Sequence, residues 1–255
     1  MRNFLLLLLI FSLPGITNAR QPDQAAVATA HPLATQAGQT ILQQGGNAFD
    51  AAAAISAALA VVEPYSSGLG GGGFWLLHQQ SQNRDIMLDG REKAPAKAHA
   101  EMYLDQQGNY IARSSVDGAM AAGIPGTVAG IVHLSQQYGV LPLKQVLQPA
   151  IVLAENGFPV TEHYRKMAGF RRQALLQSPA SARIFLSAGE VPELNALIKQ
   201  PELANTLRAV AAKGMKGFYH GEVAVRLVNG VSRAGGIWRL DDLNNYQLVE
   251  RQPIR

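Results

Sequence analysis

The sequence predicts an α+β fold in which many helices cover a sheet. Three observations lead there. Helical and strand patterns alternate along the chain, and the helical segments outnumber the strands. Two short apolar runs, Phe74 to His78 and Asp85 to Asp89, flank the polar stretch Gln79–Arg84 and read as a β-hairpin. The chain has 255 residues, 47% hydrophobic and 16% charged, enough for a sizeable core in one domain or a large part of one.

In chain order, His31 to Gln44 reads as a helix stopped by Gly45-Gly46, a C-terminal glycine cap. Asn47 can cap the next helix, Ala48 to Val62, whose alanines give high propensity and allow close packing until Pro64 ends it. The hairpin follows four consecutive glycines, Gly70 to Gly73, and Asp105-Gln-Gln-Gly108 is a turn. Pro125 has the place of a first-turn proline, opening a helix through Tyr138 that Gly139 closes. Leu141 to Glu155 is helical despite Pro149, and Asn156-Gly157 ends it. Thr161 to Gln177, Glu202 to Lys213 and Gly221 to Val231 are further helices, and no internal repeat appears.

Residues 1–19 read as a secretory signal peptide and residues 20–255 as the folded region. Arg2 supplies the positive end, Phe4 to Leu13 is apolar but too short to span a bilayer, and small residues precede a cleavage point after Ala19. No later apolar run is long enough for a stable membrane anchor, so the expected location is the bacterial periplasm or outside the cell. The absence of cysteine excludes disulfides, thiolate metal sites and a cysteine nucleophile. An exported chain without disulfides must rely on its core. Lys and Arg exceed Asp and Glu by 22 to 18, but the charges are dispersed and no aromatic-studded basic strip points to nucleic acid.

Several motifs fail in context. Gly68 to Gly73 spells G-x-G-x-x-G, yet it follows a helix and feeds a strand, the reverse of a dinucleotide fingerprint, and lacks the Lys-Ser/Thr ending of a P-loop. The histidines at 31, 78, 99, 133, 163 and 220 lie far apart without a metal-ligand motif. Ser66-Ser67-Gly68 is not a nucleophile elbow.

Three features keep two readings each. Arg91, at the end of the second strand, is either a fork for a carboxylate ligand or the partner of a neighbouring Asp or Glu. The glycine run is either a bare wall that a ligand approaches closely or tight strand-on-helix packing. Gly126-Thr127-Val128 is either an anion-binding helix N-terminus or simple helix initiation.

The segments GGNAFDAAAA, EPYSSGLGGGGFWLL, LDGREKAPAKA, GIPGTVAG and LDDLNNYQLVERQPIR together resemble the γ-glutamyltranspeptidase (glutathione hydrolase) family, in its order and spacing. The resemblance implies an N-terminal-nucleophile hydrolase with an αββα sandwich. This chain would supply only its large-subunit part, from a precursor that cuts itself in two. It implies transfer of the γ-glutamyl group of glutathione and related amides to water or to an amino-acid or peptide acceptor, and neither a metal nor a cofactor. By position, Arg91 matches the arginine that binds the α-carboxylate of the γ-glutamyl group, and Gly70 to Gly73 a scaffold of the core.

The family's nucleophile is a threonine freed at the start of the small subunit, whose own α-amine assists its attack. That segment corresponds to sequence beyond Arg255, so no catalytic residue is expected among these 255 and the small subunit is an expected partner. Two alternatives remain: a related acylase such as a cephalosporin acylase, and a non-catalytic exported remnant. Because the family's sheets draw strands from both subunits, the chain alone should expose sheet edges and apolar faces and be poorly soluble.

Overall fold

The structure is a computed structural model and describes residues 25–254. The expected signal peptide, residues 1–19, lies outside the described residues. Helices α1 (Pro32–Gln43) and α2 (Ala48–Val62) pack against each other as an αα-hairpin. Asn47 caps α2 by accepting from the N–H groups of Phe49 and Asp50, and Asp50 accepts in return from Asn47 N, completing a capping box. His31 caps α1 through Nδ1, which accepts from Leu33 N at 3.2 Å. Burial lowers the His31 pKa, which keeps that nitrogen free to accept.

The hairpin forms as expected, with β1 (Gly73–Gln79) antiparallel to β2 (Arg84–Gly90) and Trp75 opposite Leu88. Asn83, with φ 45°, makes the left-handed residue of its turn. The helix expected from Pro125 to Tyr138 is shorter and divided. Helix α3 spans Thr127–His133, and one wide π turn continues it over Leu134–Tyr138. Gly126 is the cap, so Pro125 precedes the helix instead of occupying its first turn; its carbonyl accepts from the Tyr219 hydroxyl at 2.9 Å.

The rest of the chain is mostly helical. Helix α4 (Leu143–Asn156) tolerates Pro149 and ends at Gly157, whose φ of 94° suits glycine alone. The two-residue strands β3 (Phe158–Pro159) and β4 (Leu197–Ile198) pair across α5 (Glu162–Leu176) and α6 (Pro179–Phe185). Helices α7 (Pro201–Lys213), α8 (Lys216–Tyr219), α9 (Gly221–Arg233) and α10 (Leu240–Asn244) lead to β5 (Val249–Arg251). Helices α6, α8 and α10 and strands β3, β4 and β5 carry too few residues to show a period.

Strand β5 joins the hairpin on the far side of β2, giving the antiparallel order β1-β2-β5. Helix α3 packs on one face of this sheet and Trp75 of β1 reaches Ser56 of α2 on the same side, while α1 and α4 pack on α2 and α7 packs on α4. Leu77, Ile86 and Leu88 point into that core with the α2 alanines. The opposite face is open: Phe74 is 53% and Leu76 68% exposed, and Val249 shares their side by register. Asp89 and Arg251 share this face by register, and an open face with exposed apolar residues is what one half of a two-sheet sandwich presents to the other.

Candidate active site

The C-terminal end of α2, the loop Glu63–Gly72 and the start of β1 enclose a cleft of about 550 Å³. Ser66, Ser67, the glycine run, Trp75, Glu92 and Thr127 are among the residues that line it. Its walls are held by backbone. Gly71 O accepts from Gly126 N at 2.8 Å and Thr127 N at 3.0 Å, tying the glycine run to the start of α3. Those two N–H groups are thereby consumed, so this helix start is an initiation site held by protein rather than an anion site.

The glycines divide by role. A Cβ on Gly72 would lie 2.6 Å from Gly90 O and 2.8 Å from Glu92 N, so the backbone there must stay bare. Gly70 has nothing within 4 Å of an added Cβ and faces open space in the cleft. Gly72 therefore serves close packing, against the end of β2 rather than a helix, and Gly70 leaves a bare stretch of cleft wall. The tightest packing lies elsewhere: a Cβ on Gly130 would strike the Trp75 ring, and one on Gly126 the Gly90 carbonyl and the Tyr246 hydroxyl. Trp75 fits that slot and donates through Nε1 to Ser56 Oγ at 3.0 Å.

Arg91 is the first residue beyond β2, next to Glu92 on the cleft wall but not itself lining the cleft. Its backbone is gripped on both sides. Arg91 N donates to Asp89 Oδ1 at 3.1 Å, and Arg91 O accepts from the Tyr246 hydroxyl at 2.8 Å. Tyr246 stacks on Tyr219 with ring centroids 5.3 Å apart. Burial, followed by the charges of Asp89 and Glu92, pushes the Tyr246 hydroxyl up to about 12, so it remains a donor at neutral pH. Arg251 donates through Nε to Asp89 Oδ2 at 2.7 Å, and this bond together with Arg91 N holds the Asp89 carboxyl below its ordinary range.

The Arg91 side chain is 71% exposed, and its ion partner is Glu92, Nε to Oε2 at 3.3 Å. Among the described residues its guanidinium makes no hydrogen bond, so the fork of terminal nitrogens remains available to a planar carboxylate. The other cations nearby are engaged: Lys93 Nζ donates to Gln247 O at 2.9 Å and lies 5.0 Å from the centre of the Tyr246 ring. Sequence reasoning missed Asp89, Tyr246 and Arg251 as supports of Arg91. Asp89 sat two residues from Arg91 in the quoted LDGRE segment, where a local Asx-type bond to Arg91 N was the available signal, whereas no local period links Tyr246 and Arg251 of the closing segment to it. Among the described residues no group of three or more His, Asp or Glu is placed to hold a metal ion, and no helix is long and apolar enough to cross a membrane.

Known structures share this fold. A γ-glutamyltranspeptidase from Helicobacter pylori superposes with a TM-score of 0.88 at 39% identity, covering 92% of this chain and 67% of that one. A cephalosporin acylase from Bacillus halodurans superposes with a TM-score of 0.78 at 28% identity, covering 94% and 47% respectively. The helix-covered sheet is thus part of an N-terminal-nucleophile hydrolase fold. Within that class the gamma-glutamyltranspeptidase family model matches residues 34–255, and the chain belongs to this family. It is 40% identical to a glutathione hydrolase proenzyme of Pseudomonas sp. (strain A14) over 91% of its own length, and spans 40% of that relative.

Proposed function

We propose that this chain supplies the donor-binding part of an enzyme that transfers or hydrolyses the γ-glutamyl group of glutathione and related γ-glutamyl amides. The observation that carries the proposal is the Arg91 guanidinium, exposed beside the glycine-walled cleft while its backbone is fixed at both N–H and C=O. The fixed backbone anchors the base of the side chain, and a bidentate pair between its fork and the donor's α-carboxylate then sets where the γ-carbonyl falls.

In this reading a small-subunit segment contributes an N-terminal threonine. Its hydroxyl attacks the γ-carbonyl while its α-amine accepts the proton, and the resulting ester passes to water or to an acceptor amine. The open face bearing Phe74 and Leu76 is where that partner's sheet would pack. Thr127 is not a substitute nucleophile, because its N–H is a peptide donor to Gly71 at the start of α3. Residues 1–19 would direct export to the periplasm or beyond, leaving 20–255 as the large-subunit region.

The test is Arg91→Lys in the processed enzyme. Lysine keeps the charge and loses the fork. Donor kcat/KM for γ-glutamyl-p-nitroanilide is expected to fall about 10- to 100-fold, the size of one or two charge-assisted hydrogen bonds, with self-cleavage of the precursor intact. Unchanged donor kinetics would return Arg91 to its ion pair with Glu92. The likeness to a cephalosporin acylase supports a second reading, a different acyl donor. Glutaryl-p-nitroanilide, which keeps a carboxylate and lacks the α-amine, discriminates: faster turnover of it than of the γ-glutamyl compound selects the acylase.

A further inference from the structure

A donor held by its carboxylate on Arg91 reacts at its other end, so the placement of Arg91 relative to the cleft decides where the reacting carbonyl comes to lie. One buried side chain controls that placement. Tyr246 follows α10 and is 5% exposed. Its ring stacks on Tyr219 with centroids 5.3 Å and planes 9° apart, and Lys93 Nζ stands 5.0 Å from its centre. Both neighbours of the ring are tied down. The Tyr219 hydroxyl donates to Pro125 O at 2.9 Å and accepts from Ala129 N at 3.2 Å, which fixes it to α3. Lys93 Nζ donates to Gln247 O at 2.9 Å, and Lys93 N to Ile124 O at 3.1 Å.

The hydroxyl of this held ring lies where three stretches of backbone meet. It donates to Arg91 O at 2.8 Å. It also occupies the space that a Cβ on Gly126 would need, so glycine there is what lets it approach the start of α3. Gly126 N in turn donates to Gly71 O of the cleft wall at 2.8 Å. Through one atom the base of the Arg91 side chain is thus placed relative to the wall of the cleft. The other contacts of Arg91 cannot do this: its N–H bond to Asp89 and its ion pair with Glu92 join it only to sequence neighbours.

We propose that Tyr246 is a positioning residue that sets the length of donor the site accepts, by fixing the distance between the Arg91 fork and the cleft. This proposal rests on the γ-glutamyl-transfer reading. A γ-glutamyl group carries its α-carboxylate and its reacting carbonyl at opposite ends of a short chain. A β-aspartyl group has the same two ends one methylene closer. With the carboxylate on Arg91, loss of that methylene withdraws the carbonyl from its position of attack by roughly 1 Å, a displacement on which rate depends steeply. An arginine held at its carbonyl rejects the shorter donor, and one released there can follow it.

The experiment compares kcat/KM for γ-glutamyl-p-nitroanilide and β-aspartyl-p-nitroanilide in the processed enzyme, with Arg91→Lys alongside. Wild type is expected to prefer the γ-glutamyl donor by about tenfold or more. Tyr246→Phe keeps the ring and removes the bond to Arg91 O, and should shrink that preference about fivefold, the effect of one hydrogen bond. A variant that is merely less folded loses both activities alike, so the ratio separates positioning from stability. Tyr219→Phe loses a buried hydroxyl bonded to α3 and not to Arg91, so its Tm should fall while the ratio holds. Should Tyr246→Phe not fold, Lys93→Met, which removes the cation beside the ring and its bond to Gln247 O, should shrink the preference in the same direction. Where β-aspartyl turnover is too slow to follow, the ratio is read from the KI values of L-aspartate and L-glutamate against the γ-glutamyl substrate. No preference in wild type, a preference unchanged by the variant at Tyr246 or its substitute, or an equal shrinkage in Tyr219→Phe would overturn the role of Tyr246. The donor reading survives each of these provided Arg91→Lys lowers γ-glutamyl use. If Arg91→Lys leaves donor kinetics unchanged, or wild type releases no p-nitroaniline, the donor reading itself fails and the length-setting role falls with it.

Discussion

Alanine at Gly72 and alanine at Gly70 are near neighbours in sequence with opposite expected effects. At position 72 the new methyl would lie 2.6 Å from Gly90 O, 2.7 Å from Glu92 Oε2 and 2.8 Å from Glu92 N. A carbon–oxygen contact normally rests near ~3.3 Å or more, so the Gly90–Glu92 backbone must retreat by about 0.7 Å. Two of the three obstacles are backbone, so no side-chain rotation relieves them. Overpacking of this kind costs about 1–3 kcal/mol, reduced by ~0.5 kcal/mol because alanine also restricts the unfolded chain. For a domain of this size Gly72→Ala should lower Tm by about 1–10 °C. The retreat passes through Arg91, so donor kcat/KM should fall as well, by up to about 100-fold for a misplacement near 1 Å. Gly70 has no atom within 4 Å of an added Cβ, and Gly70→Ala should leave Tm level or slightly raised. Thermal melts and donor kinetics of both variants in the processed enzyme are the assay. Equal melting temperatures for the two would refute the division of the glycine run into packing and open wall.

Two further outcomes follow from one exposed and one buried carboxylate. Glu250 of β5 accepts from the Tyr138 hydroxyl and pairs with His133 Nε2, and these contacts, Tyr138 first, depress its pKa. A depressed carboxyl stabilises the fold above its unfolded pKa, and that contribution is lost as pH falls through the folded value. Glu250→Gln should therefore melt below wild type at pH 7, with the gap closing below about pH 4; a gap independent of pH would rule out an ionised Glu250 as its source. Asp50, fully buried, accepts from Asn47 N and from Val140 N at 2.9 Å, joining the start of α2 to the chain after the π turn. Asp50→Ala leaves these donors unpaired and should cost about 3 kcal/mol or more in denaturant unfolding; a loss under 1 kcal/mol would show that water replaces the carboxylate.

Local features of the sequence determined a good part of this protein. Asn47, the alanine run and Pro64 together specify α2, because capping, propensity and termination are all short-range effects. The hairpin and the turn at Asp105 followed for the same reason, and the resemblance carried by LDGRE singled out Arg91 before any geometry was known. The long helix drawn through Tyr138 failed where nothing local marks the change: the backbone widens into a π turn at Leu134.

Tertiary structure decided the surroundings of Arg91. Strand β5 lies beside β2, Tyr246 reaches Arg91 O, and Arg251 pairs with Asp89, all joining parts of the chain remote in sequence. It also decided which glycines must be bare: Gly72, Gly126 and Gly130 by close approach, with Gly70 left facing open space. A residue's local pattern sets the conformation it prefers, whereas the neighbour it meets depends on how whole elements pack. The sequence by itself therefore determined most of the longer elements and the family, and packing alone determined which atoms hold the arginine in place.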